Sequence, residues 1–256
     1  MDHTKLAGRI RCSILKAARS AGKTGAHIAP SLSIVEIMIA ILECCKSDDV
    51  FILSKGHGGL GYYATMYQMG MISQGQIESF ESDGGEFPGQ PSRSKENRVS
   101  YSSGSLGMGL SYGVGRAYAD PNKTVYVLLG DGECNEGAVW EGAALANRLH
   151  LSNLIAVVDR NSLQSDGKCA DILGMDYEKI WDAYGWNVKV CNGHMVNEIE
   201  SAMIGRCKDK PTVVVADTVK GKGVSFMEDD NTWHHTVLRE ERCNLALKEI
   251  GEAYGL

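Results

Sequence analysis

The sequence predicts an α/β fold with a mostly parallel central sheet flanked by helices, and three observations carry that prediction. An apolar run, Thr124 to Leu129, leads directly into Gly130-Asp131-Gly132-Glu133. A helix-length segment, Gly137 to His150, follows it. A second apolar run, Leu154 to Val158, then enters another polar turn, Asp159-Arg160-Asn161-Ser162-Leu163. This is the order of a right-handed crossover between parallel strands, whose terminal loops share one sheet edge.

The remaining elements follow in chain order. Leu6 to Ala21 places Leu6, Ile10, Ile14, Leu15 and Ala18 at helical spacing, until Gly22 and Gly25 break the pattern. Ser33 with Glu36 three residues on has the form of a capping box. It predicts a helix carrying Ile34, Ile37, Met38 and Ile41 that ends near Cys45. Residues 70–103 are rich in Gly, Ser, Pro and charge, and are expected to wrap the sheet edge as a long functional loop. Leu106 to Ala119 is a small-residue helix suited to close packing against another helix or chain. Beyond Val158 the pattern predicts a helix at 176–184, an apolar run at 186–191, a helix at 195–207 and a strand at 212–217. The tail from Arg239 to Tyr254 is amphipathic. No repeat or linker divides the chain, so residues 1–256 are expected to form one domain.

Composition narrows the function. At 256 residues with 43% hydrophobic content, the chain can bury a large core, and it could be one part of something bigger. The net charge of −6 and the lack of a basic block argue against nucleic acid. No apolar run approaches the ~20 residues that span a bilayer. The opening Met-Asp-His-Thr-Lys has no signal-peptide core, so a soluble cytoplasmic protein is expected. The eight cysteines are scattered without a Cys-x-x-Cys pair, which reads as free thiols. Cys134 falls inside the acidic turn.

If the two strands are neighbours, Asp131 and Asn161 meet in space. A carboxylate, an amide oxygen and a main-chain carbonyl are hard ligands suited to Mg²⁺ or Ca²⁺, with phosphate and water completing the shell. The helix expected after Gly132 would add N–H groups and a positive dipole end. Gly-Asp-Gly alone is equally compatible with a structural turn. The asparagine at this distance favours a metal–diphosphate site.

The pair of turns resembles the thiamine diphosphate motif. In detail, Gly130-Asp-Gly-Glu-Cys-Asn-Glu-Gly-Ala-Val-Trp-Glu141 and the stretch from Asn153 to Asp166 resemble the transketolase family. Four further segments do so in the family's order: Gly25 to Ser33; Phe51 to Gly58; Gly104-Ser-Leu-Gly-Met-Gly109; and Lys220-Gly-Lys-Gly223 with Trp233-His234. The resemblance covers nearly the whole chain. It implies the thiamine diphosphate-binding fold, with Mg²⁺ (or Ca²⁺ or Mn²⁺) held by Asp131, Asn161 and the carbonyl of Leu163. It implies cofactor contacts from His57, Gly104, Ser105, Leu106, Gly132, Glu136, Asn161, Lys220 and His234. His27, His57 and His234 would be catalytic, with His27, Gln90 and His234 facing substrate. Glu136 and Glu141 would point toward a subunit boundary. Histidine suits this chemistry because it exchanges protons near neutral pH. His3, His150, His194 and His235 are read as ordinary surface or core residues.

Two departures from the family pattern bear on the substrate. Phe87-Pro88-Gly89-Gln90-Pro91 carries a neutral amide where family members commonly have histidine, and Pro30 and Met108 replace smaller or polar residues. The implied activity is transfer of a two-carbon ketol unit from a ketose, often phosphorylated, to an aldose. The family's pyrimidine-activating glutamate lies in a separate domain, so a second-half subunit is the expected partner, in an α2β2 assembly. Competing readings are a pyruvate–aldehyde condensing synthase, part of an oxo-acid dehydrogenase, a non-catalytic cofactor-fold module and a dinucleotide-binding dehydrogenase. For the last, Gly107-x-Gly109-x-x-x-Gly113 lacks a strand before it, and its third glycine comes one place late.

Overall fold

Five segments rich in valine, isoleucine and leucine form the strands β1 (Val50–Leu53), β2 (Val125–Gly130), β3 (Leu154–Arg160), β4 (Asn187–Asn192) and β5 (Thr212–Asp217). In the computed structural model, which describes residues 2–256, they pair in the order β1-β2-β3-β5-β4, every pair parallel. Burial on both faces explains why β2 and β3 read as unbroken apolar runs. β4 lies at the edge and is half exposed.

The helices are α1 (His3–Ser20), α2 (Ala29–Leu32), α3 (Val35–Cys44), α4 (Gly59–Gln68), α5 (Gln74–Glu78) and α6 (Met108–Ala119). They continue with α7 (Gly137–Arg148), α8 (Cys169–Leu173), α9 (Tyr177–Ala183), α10 (Val196–Ile204) and α11 (Glu240–Tyr254). Strand alternation divides the core between them. Phe51, Leu53, Tyr126, Leu128, Ile155, Val157 and Val214 pack against α1, α3, α4, α10 and α11. Ile52, Val127, Leu129, Ala156, Val158, Val213 and Val215 pack against α6, α7 and α9. No helix among the described residues is long and apolar enough to cross a membrane.

Several sequence expectations are corrected here. Ser33 does not cap the start of α3. Its N–H closes the end of α2 on the carbonyl of Ala29, and its hydroxyl reaches Asp159 Oδ2 at 2.8 Å. Glu36 pairs with Arg11 instead of completing a capping box. Buried charges needed these two side chains more than an exposed helix end did. A real capping box lies inside the supposed loop 70–103, where Ser73 and Gln76 start α5. The chain after Gly132 forms only a 3₁₀ turn, Gly132–Asn135, before α7 begins at Gly137. The small residues of α6 serve the sheet as well as the surface. A Cβ at Gly113 would fall 2.6 Å from Val127 Cγ2, and one at Gly109 would fall 2.9 Å from Ser54 Cα.

Candidate active site

Four adjacent parallel strands end on one edge of the sheet, as side-by-side parallel strands must. β1 ends before Ser54-Lys55-Gly56-His57, β2 before Asp131, β3 before Asn161 and β5 before Thr218-Val219-Lys220. The register pairs Gly130 with Asp159, so the turns after β2 and β3 begin level with each other. Asp131 Oδ2 accepts from the main-chain N–H of Ser162 at 2.5 Å, and its Oδ1 from that of Gly132 at 2.8 Å. Ser162 has φ near +64°, a left-handed turn residue that brings this N–H round to the carboxylate. Asn161 donates to Asp159 Oδ2 at 2.9 Å, while its Oδ1 accepts from the N–H of Leu163 at 3.2 Å.

Beneath these turns lies a buried ion pair that the sequence reading did not single out. Lys55 Nζ sits 2.5 Å from Asp159 Oδ2, both side chains sealed from solvent. Asp159 also accepts from Ser33, Asn161 and Thr218. Burial alone would raise its pKa, but Lys55 and these donors hold it below the ordinary value. Glu133 is equally buried. Its Oε1 accepts from Ser54 Oγ at 2.5 Å and from the N–H of Gly107 at 2.8 Å, and its Oε2 from Gly130 at 3.1 Å. Gly107 turns with φ +84°, which a Cβ would strain, so this bond ties the start of α6 to the acidic turn. A lysine directly after the apolar run at 51–53 was the available signal for a buried counter-ion.

A cavity of about 380 Å³ opens above. Its lining includes His57, Leu106, Asp131, Gly132, Glu136, Asn161, Leu163, Lys220 and His234, all named from the sequence. Lys55, Glu133, Asn135 and Gln164 join them. His27 stands beside it, its ring centroid 6.1 Å from that of His57 and 5.4 Å from that of His234. His235, set aside in the sequence reading, packs edge-on to His27 at 4.5 Å. Gly104, Ser105 and Gln90 lie outside this lining and are exposed. A Cβ at Gly104 would approach Gln90 Oε1 to 2.9 Å, which puts the amide over the Gly104 turn.

The electrostatics are those of a site that excludes water. Burial, then the neighbouring Asp159, pushes Asp131 up to about 6. A cation seated there would favour the ionised form instead. Burial, then Lys55, lowers Lys220 to about 8, and its Nζ donates to the carbonyl of Gln164 at 3.0 Å and to Asn231 Oδ1 at 2.8 Å. Burial, then His235, lowers His27 to about 4. Burial, then Lys220, lowers His234 to about 3, while burial and Lys55 hold His57 well below its ordinary value. All three imidazoles are therefore neutral at pH 7, each with one donor and one acceptor nitrogen. Asn135 Oδ1, Gln164 Nε2 and His234 Nδ1 are buried around the cavity without a protein partner. Unmet polar atoms of this kind cost about 1–3 kcal/mol each, which a polar ligand would relieve. No three His, Cys, Asp or Glu side chains are gathered as a metal cage among the described residues. A cation here would rest on Asp131 with amide, main-chain, phosphate and water oxygens.

Comparison with known proteins agrees with this geometry. The family described as "Transketolase, thiamine diphosphate binding domain" matches residues 43–254. One of the two subunits of the apulose-4-phosphate transketolase of Actinobacillus succinogenes is 36% identical over 242 residues, which cover 88% of each chain. The 6-deoxy-6-sulfo-D-fructose transketolase subunit SqwG of a Clostridium species is 36% identical over 248 residues, 90% of each chain. Human transketolase is 33% identical over 95% of this chain, which spans only 41% of the human protein. The solved transketolase from Leishmania mexicana superposes with a TM-score of 0.88 at 26% identity, covering 98% of this chain and 41% of that one. This chain belongs to the transketolase family, to the part of it that is the thiamine diphosphate-binding domain.

Proposed function

We propose that this chain, residues 1–256, is the cofactor-binding subunit of a two-chain transketolase that moves a two-carbon ketol unit from a ketose to an aldose. The observation that carries the reading is the single cavity joining Asp131, Asn161 and Lys220 to three neutral histidines. The residues fit thiamine diphosphate: an acidic turn with hard oxygens, a lysine and three unsatisfied buried polar atoms surround one space. Asp131, Asn161 and the carbonyl of Leu163 would hold Mg²⁺, or Ca²⁺ or Mn²⁺ in its place, against the diphosphate. Lys220 would offset phosphate charge beside Gly132, and Gly104 to Leu106 would meet the pyrimidine through main-chain groups, with Glu136 at the subunit boundary. When bound, the cofactor supplies the nucleophilic carbon and the electron sink. His27, His57 and His234, kept neutral, would take a proton from a substrate hydroxyl and return one at the carbonyl oxygen.

Two similar relatives are named as subunits, which supports a partner carrying the second half and its pyrimidine-activating glutamate, in an α2β2 assembly. Exposed Met108, Tyr118 and Leu145 on α6 and α7 are candidates for that boundary. Those relatives are named for a ketose phosphate and a sulfonated ketose, so a sugar with an anionic far end is the proposed donor class. Gln90 would read that donor. Eight free thiols suit a cytoplasmic setting. The test is ketol transfer with thiamine diphosphate and Mg²⁺, by this chain alone and with a co-expressed second-half subunit. Turnover is expected only with the partner. Full activity of the isolated chain, or none in any assembly that binds the cofactor, would refute the reading.

A further inference from the structure

Outside the cavity, three titratable side chains are buried together and take no part in the reaction proposed above. Arg11 of α1, fully buried, faces Glu36 of α3 through paired hydrogen bonds of 2.6 and 2.9 Å. Arg11 Nε also donates to the carbonyl of Lys222 at 2.9 Å. The second oxygen of Glu36 meets His194 Nδ1 at 3.0 Å, and His194 Nε2 lies 2.9 Å from the main-chain nitrogen of Val219. A main-chain N–H can only donate, so Nε2 must accept. The imidazole is then neutral, with its proton on Nδ1 and given to Glu36. Val219 directly precedes Lys220, whose ammonium lines the cavity, and Lys222 follows two places on. The assembly therefore fastens the chain on both sides of Lys220. A buried ion pair is a weak source of net stability. The outer hydrogen bonds of this one go to the segment that carries a site lysine.

The geometry points to His194 as a positioning residue that, in its neutral Nδ1–H form, holds Val219 and so sets Lys220 against the anionic end of the cofactor. This inference rests on the cofactor-binding reading above. Protonation turns Nε2 into a donor, sets two N–H groups against each other and releases Val219. The groups facing His194 are Glu36 of α3 with Arg11 of α1 behind it, His3 of α1, Lys222, and Tyr254 at the end of α11, around a cavity of about 310 Å³. Glu36 favours the imidazolium, and Arg11 and Lys222 oppose it. Binding of the cofactor should therefore weaken as His194 takes up a proton.

The test has two arms. In the full chain without cofactor, ¹⁵N NMR should show His194 with Nε2 unprotonated at pH 8. Amide exchange at Val219 should be about tenfold faster in His194→Ala, the loss of one hydrogen bond. It should return to the wild-type rate in His194→Gln, whose amide can accept from Val219 and donate to Glu36. In the assembled enzyme, His194→Ala should weaken thiamine diphosphate–Mg²⁺ binding by about tenfold, and His194→Gln should restore it. The wild-type affinity should fall toward acid by a step that His194→Gln lacks. Unchanged Val219 exchange in His194→Ala, or the same acid step in His194→Gln, would overturn the inference. Should His194→Ala not fold, the glutamine profile decides alone. If the wild-type assembly binds no cofactor, the function reading fails, while the exchange arm still judges whether His194 holds Val219.

Discussion

Asp131 is the one charged side chain proposed to touch the metal, and its two oxygens already accept main-chain N–H bonds. Asp131→Ala should keep the fold and weaken metal-dependent cofactor binding by about ten- to a hundredfold, the scale of one charged interaction. Calorimetry with thiamine diphosphate and Mg²⁺ in the assembled enzyme checks this, and unchanged affinity would reject Asp131 as a ligand. Gln90 makes a different prediction, because an amide cannot exchange protons near pH 7. Gln90→His should raise kcat/KM for an ordinary ketose phosphate by roughly ten- to a hundredfold. Measured across a donor panel, an unshifted ratio of rates would show that residue 90 does not read the donor. The exposed position of Gln90 above Gly104 is what leaves it free to meet a substrate.

At the scale of elements, α6 sits close to the sheet because two glycines one turn apart face it. Gly113 leaves room for Val127, and Gly109 for the main chain at Ser54, the residue before Lys55. Gly113→Val should therefore overpack the α6–β2 contact and cost about 1–3 kcal/mol, visible as a lower thermal midpoint. Gly115, on the outer side of the same helix, has nothing near its missing side chain. Gly115→Ala should leave the isolated chain as stable or slightly more so, since alanine favours helix. A Gly115→Ala loss as large as that of Gly113→Val would mean that α6 does not use its two sides differently.

For the whole molecule, acid stability turns on the pair that joins α1 to α3. Burial would raise Glu36, but the Arg11 guanidinium, with help from His194, outweighs it and lowers the carboxyl to about 2. A carboxyl depressed below its unfolded value of about 4.5 stabilises the fold above that pH, and the contribution is lost as pH falls toward 2. Melting curves should show this loss, and Glu36→Gln should flatten it. At neutral pH the same variant should cost about 3–5 kcal/mol, because Arg11 is left buried without its partner. If wild type and Glu36→Gln lose stability in parallel between pH 5 and 3, the pair does not govern acid unfolding.

Strand order, the acidic turn and the spacing to Asn161 were enough to determine the parallel sheet and the cofactor family, because these are local patterns with a fixed geometric consequence. A right-handed crossover leaves little choice about where Asp131 and Asn161 end up. The partners of buried charge were not legible in this way. Ser33 followed by Glu36 has the local form of a helix cap, yet Ser33 goes to Asp159 and Glu36 to Arg11 and His194. Lys55 finds Asp159 across 104 residues, and His194 finds Val219 across 25. A sequence shows which side chains can donate or accept. Only the tertiary structure decided which of them are removed from water together, and it is desolvation that makes those pairings obligatory.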